Sequence, residues 1–136
     1  MLFRSGYILS DAPGGKPDVI LIGTGSELPL CSAAQEMLKA QGIAARVVSI
    51  PSWELFEEQD ASYRESVLPA AVKARVSVEA ASTLGWERHA GNGGAMIGMH
   101  GFGASAPAKD LMKHFGFTAE NVAAAAKAQV AKWKSA

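Results

Sequence analysis

Cysteine is nearly absent from this 136-residue chain: the single Cys31 cannot form an internal disulfide and lacks the clustered partners of a zinc site. Its expected role is core packing. Net charge is absent as well, because thirteen Lys and Arg balance thirteen Asp and Glu, with no basic run to neutralise nucleic-acid phosphates. Nucleic acid and anionic membrane are therefore not expected as partners. Long apolar runs are missing too: "MLFRSGYILSD" meets glycine and polar residues before a signal-peptide core or about 20 apolar residues can develop. The expectation is a cytoplasmic protein with no membrane attachment. The histidines are only three, His89, His100 and His114, and their separations do not match H-E-x-x-H, so no metal site is expected. Ser26, Ser49, Ser52 and Ser105 all lack the G-x-S-x-G elbow, which leaves a hydrolase triad without a nucleophile.

What is present reads as one domain over residues 1–136, a length that buries roughly two thirds of its unfolded surface. Four short apolar runs predict strands at Val19–Ile22, Arg46–Ile50, Val76–Glu79 and Ala95–Met99. Between the first two, Ser26–Ala40 places Leu30, Cys31, Ala34, Met37 and Leu38 on one helical stripe and ends before Gly42. Alternating strands and helices predict βαβ units: an α/β, three-layer α/β/α sandwich with a mostly parallel five-stranded sheet. A fifth strand at Tyr7–Leu9 is followed by "SDAPGGKPD", too short for a parallel crossover, so it is expected as an antiparallel edge. At the other end a short helix from Pro107 and a terminal helix are predicted. Thr118 is the latter's N-cap, and Val122, Ala126, Val130 and Trp133 face inward.

The stretch "DVILIGTGSE" runs a strand through a glycine turn into a helix, so Gly23, Thr24, Gly25 and Ser26 form a candidate anion site. Two features weaken it as a dinucleotide site. Leu28 stands where the fingerprint needs a third glycine, and Ser49, Ile50 and Pro51 replace the acidic residue that would hold a ribose. Thr24 and Glu27 also have the T-x-x-E spacing of a capping box. A carboxylate there would satisfy the helix start and repel a phosphate, so structural capping outweighs ligand binding.

His100 and Glu79 end strands at the rim where α/β ligands collect. Glu79 would suit general acid or base work in apolar surroundings, but a bond to a loop backbone is the simpler role. Near a helix end, His114 is read as a dipole partner, and Ser52 before "WELFEEQ" as an N-cap. Trp53, Phe56, Trp86, Phe102 and Phe115 add apolar surface at loops, for a core or for a partner.

Taken together, "LIGTGSE", "ARVVSIPSWELFEEQDASYRESVLP", "VSVEA" and "GMHGFGASAPAKDLMKHFGFTAENV" resemble the C-terminal domain of transketolase, in that order and spacing, from about Gly6 to Val130. The most specific part is Pro51 through Phe56, Gln59, Tyr63 and Val67 to Pro69, backed by "FGASAP" and "FGFT". The resemblance implies an enzyme of the pentose phosphate pathway that moves a two-carbon ketol unit between sugar phosphates with thiamine diphosphate and magnesium or another divalent metal. It also implies a homodimer whose cofactor lies between two other, thiamine-binding domains. No catalytic and no cofactor-binding residue carries over to this chain, which would serve packing and assembly and be inactive alone. The abrupt start "MLFRS" is expected for an excised fragment or a separately encoded subunit. The alternatives are a stand-alone nucleotide- or sugar-phosphate-binding module using Gly23–Ser26, and a regulatory dimerisation module.

Overall fold

A computed structural model describes residues 6–23, 27–51, 53–79, 95–98 and 118–134. Five strands, β1 (Tyr7–Ser10), β2 (Val19–Gly23), β3 (Ala45–Ser49), β4 (Arg75–Glu79) and β5 (Ala95–Gly98), form one sheet in the order β1-β3-β2-β4-β5. The described helices are α1 (Leu28–Lys39), α2 (Trp53–Glu57), α3 (Ala61–Val67) and α4 (Ala119–Lys134).

The central strands "VILIG" and "ARVVS" are buried at every position, which explains why they read as near-continuous apolar runs: helices cover both faces of the sheet. Side chains alternate between those faces. Val19 and Leu21 of β2, Val47 of β3 and Val76 and Val78 of β4 pack with Cys31, Ala34 and Leu38 of α1 and Val122 and Ala126 of α4. On the other face Ile20, Ile22, Val48 and Ile50 pack with Phe56 and Val67 from the α2–α3 segment. The predicted three-layer α/β/α sandwich is the one observed.

Parallel registers run Val19↔Ala45 through Gly23↔Ser49 between β2 and β3, and Ile20↔Arg75 through Gly23↔Val78 between β2 and β4. β5 continues in parallel from Val76↔Ala95 to Glu79↔Gly98. β1 is antiparallel to β3, pairing Tyr7 with Ser49 and Ile8 with Val48, as the short link predicted. A bulge between Ile8 and Ser10 leaves Leu9 as the extra residue, 45% exposed on the sheet edge.

Helix α1 begins at Leu28 with proline in its first turn. That is later than the sequence suggested, and Ser26 itself lies outside the described residues. The helix ends in a Schellman motif: Gly42 N–H donates to Lys39 O at 3.0 Å and Ile43 N–H to Leu38 O at 2.9 Å. Gly42 has φ +79°, a conformation that favours glycine. At α4, Thr118 Oγ1 accepts the Asn121 N–H at 3.1 Å, so the predicted N-cap is in place. Val122 and Ala126 are buried, with Val130 and Trp133 packed beside them. The helix from Pro107 lies outside the described residues, and so does Met99 of the predicted fourth strand.

Candidate functional site

Because β2 leads through α1 to β3 on one side while β4 adjoins β5 on the other, the chain reverses its direction of progress between β2 and β4. In open α/β sheets the crevice outside the carboxyl ends at such a point is where ligands bind. Gly23 ends β2 there, beside Val78, and the backbone of Glu79 follows on β4, opposite Gly98. The fold thus brings two sequence-predicted positions, Gly23 and Glu79, to one rim. Thr24, Gly25 and Ser26 of the candidate anion site lie outside the described residues, as do His89, His100, His114, Ser52 and Ser105.

Space for a side chain at Gly23 is tight. A Cβ added there would lie 3.1 Å from Cys31 Sγ, because the first turn of α1 descends onto the strand end. Its carbonyl accepts the Ile50 N–H at 3.1 Å, continuing the β2–β3 ladder.

Glu27 precedes α1 at the N-cap place, with φ −87° and ψ −14° and no side-chain capping bond to that helix, and Thr24, the other half of the expected capping box, lies outside the described residues. Glu27 is only 4% exposed, so an acidic side chain of this chain is buried at the positive end of α1. Cys31, one turn on, registers it. Burial first and the Glu27 charge second push its thiol up to about 12.

That thiol should be inert in the folded chain. At pH 8 the thiolate fraction falls by on the order of 1,000-fold relative to an ordinary cysteine, so iodoacetamide should label Cys31 only after unfolding in guanidinium. Mass spectrometry reads this directly, and equal labelling rates in the folded and unfolded chain would contradict it. The sign for stability follows. A thiol raised above its ordinary 9.0 contributes fully below pH 9 and loses that contribution as pH climbs towards 12.

Among the described residues no three His, Cys, Asp or Glu side chains gather to hold a metal, and the helix start that would face a diphosphate carries Glu27. Two clefts, about 410 and 450 Å³, open at the opposite end of the sheet, near Ala45 and near Ala74. No described helix is long and apolar enough to cross a membrane.

Sequence reasoning missed Arg46. It lies inside an apolar strand, 5% exposed, and its guanidinium donates to five acceptors. Nε and Nη2 reach Asp11 Oδ1 and Oδ2 at 2.7 and 3.3 Å, Nη1 reaches Ser66 O and Val67 O at 2.9 and 3.2 Å, and Nη2 also reaches Gly15 O at 3.3 Å. All five N–H donors of the fork are used. The only local signal was a charged residue between Ala45 and Val47.

Strand order, antiparallel edge and two helical layers define a mixed-sheet α/β/α sandwich laid out like a nucleotide-binding fold, with a carboxylate of its own beside the crevice. Residues 5–118 match the family model described as the transketolase-like TK C-terminal domain. The chain is 59% identical over 125 residues to the chloroplastic transketolase of Solanum tuberosum, covering 91% of this chain and 17% of that protein. It superposes on a crystal structure of a transketolase mutant from Pichia stipitis with a TM-score of 0.87 and 40% identity, covering 97% of this chain and 19% of the other. A split-gene transketolase described as an inactive β4 tetramer shares the fold at a TM-score of 0.72 and 22% identity, with 96% of this chain and 44% of that one covered. The chain belongs to the transketolase C-terminal domain family, and it spans about a fifth or less of the length of the first two of these relatives.

Proposed function

We propose that this chain works as one domain, residues 1–136, within a transketolase: the C-terminal unit that packs against the thiamine-binding domains and helps to complete a homodimer. In this reading the whole enzyme transfers a two-carbon ketol unit between sugar phosphates in the pentose phosphate pathway, in the cytoplasm. Thiamine diphosphate and a divalent metal such as magnesium are held by the other two domains, and the chain alone is inactive. The observation that carries the reading is the family match over residues 5–118, joined to a rim whose helix start is taken by Glu27.

The second reading is a nucleotide- or sugar-phosphate-binding module at the crevice between β2 and β4, favoured by the position of Gly23 at the switch point. Calorimetric titration of the chain with thiamine diphosphate plus magnesium, with adenine nucleotides and with a sugar phosphate separates the two. The assembly reading predicts no binding of any of them. Binding of a nucleotide or sugar phosphate that is lost on altering Gly23–Ser26, and kept or improved in Glu27→Gln, would replace it with the second.

A further inference from the structure

The two clefts at the far end of the sheet differ in charge. The one near Ala45 sets Asp11 and Glu36 against Lys39, and Asp11 is already paired with Arg46. The one near Ala74, about 450 Å³, is framed by Asp18 before β2, Lys73 before β4, and Val130, Trp133 and Lys134 of α4. Its cations outnumber its anions. Neither Lys73 nor Lys134 forms an ion pair with a described residue. Asp18, the acidic side chain among the described lining residues, is engaged by the Ala44 N–H at 2.9 Å.

Trp133 is the fixed wall of this cleft. Its Nε1–H donates to Oε1 of the buried Gln129 at 3.2 Å, and the same oxygen accepts the Arg75 N–H at 3.5 Å, so the indole is tied to the first residue of β4. The ammonium groups of Lys73 and Lys132 each lie 5.3 Å from the ring centroid, within cation–π range. Two positive groups are thereby gathered at one half-buried ring. The negative end of the α4 dipole accounts for Lys132 and Lys134 in the last turn. It does not account for Lys73, which comes from the loop between α3 and β4 and brings its charge to the same place. An oriented indole beside Val72 and Val130, with cations at its margin, has the make-up of an interface anchor within a charged rim.

From this geometry we infer that the Trp133 cleft is a docking site for an acidic segment of the rest of the enzyme, which sets carboxylates against Lys73 and Lys134 and an apolar side chain against Val130 and Trp133. The inference rests on the reading of this chain as a domain that packs against the thiamine-binding domains, and it gives that packing a place and a charge. Charge complementarity selects the occupant. A basic segment would meet like charge, and a wholly apolar one would bury ammonium groups without a counter-ion. This chain spans a fifth or less of the first two relatives, so most of the surface it can meet in a complete enzyme belongs to other domains.

The test compares amine labelling by acetic anhydride, read by mass spectrometry, in this chain and in the full-length enzyme that contains it. Lys73 and Lys134 should label about tenfold more slowly in the full-length enzyme, the factor that one interfacial ion pair supplies. Lys73→Glu, placed in a loop and so clear of the helix end, should speed hydrogen exchange over residues 130–134 about tenfold in the full-length enzyme and less than about 2-fold in the chain alone. Equal labelling of Lys73 and Lys134 in the two proteins, or an equal effect of Lys73→Glu in both, would overturn the docking site. If other lysines of the chain still label more slowly in the full-length enzyme, the assembly reading survives that result; if none does, both fall. Labelling of the isolated chain that slows as its concentration rises would overturn the acidic segment in favour of a second copy of this chain.

Discussion

Arg46→Met is expected to lower the unfolding free energy by about 3 kcal/mol, because it removes five hydrogen bonds and leaves the carbonyls of Ser66 and Val67 facing a thioether. The loss is larger than for a surface ion pair because Arg46 is buried, although Asp11, 38% exposed, keeps access to water. The pH dependence carries a signature. Burial pushes the Asp11 carboxyl up, but the Arg46 hydrogen bond, the Ala12 N–H and the Arg46 charge together outweigh it and hold the group below its ordinary 3.8. A carboxyl depressed on folding contributes fully above 3.8 and loses that contribution as pH falls through its folded value. Urea unfolding of wild type and Arg46→Met at pH 7 and pH 3 should therefore show a gap that narrows in acid. A gap unchanged or widened at pH 3 would contradict the assignment of the Asp11–Arg46 pair.

Phe56→Ala should destabilise the chain by about 3–5 kcal/mol, the usual cost of emptying a buried aromatic site. Gly6→Ala should cost about 1–3 kcal/mol, because its Cβ would overlap the Phe56 ring. The two effects should not add: with the ring gone the new methyl has room, so the double variant should be at least about 1 kcal/mol more stable than the sum of the single changes implies. Equilibrium denaturation of the four proteins measures the coupling. Strict additivity would mean that Phe56 and Gly6 do not share the space described.

The layers of the fold were legible because their causes are local. β2 and β3 are covered on both faces and so read as apolar runs, and the eight residues between β1 and the next strand could not cross over, which fixed β1 as antiparallel. The sequence reading began this helix at Ser26, two residues before Leu28 where α1 starts, because the proline after Leu28, a good start signal, was not weighed. Long-range pairings were not legible. Arg46 finds Asp11 across 35 residues and Tyr63 finds Gly6 across 57, and no short spacing encodes either. An arginine in a strand run reads by default as a solvated position. Of the candidate site, Gly23 and Glu79 were traceable to one rim by the rule for carboxyl ends of parallel strands, and the buried state of Glu27 followed only from packing.

The most direct test of the central claim is to mix this chain with a polypeptide carrying the two thiamine-binding domains and follow sedimentation and ketol transfer together. An assembly domain predicts co-sedimentation and a gain in activity or thermal stability that neither polypeptide shows alone. Separate sedimentation with no gain in either would contradict the claim that this chain works by packing against those domains.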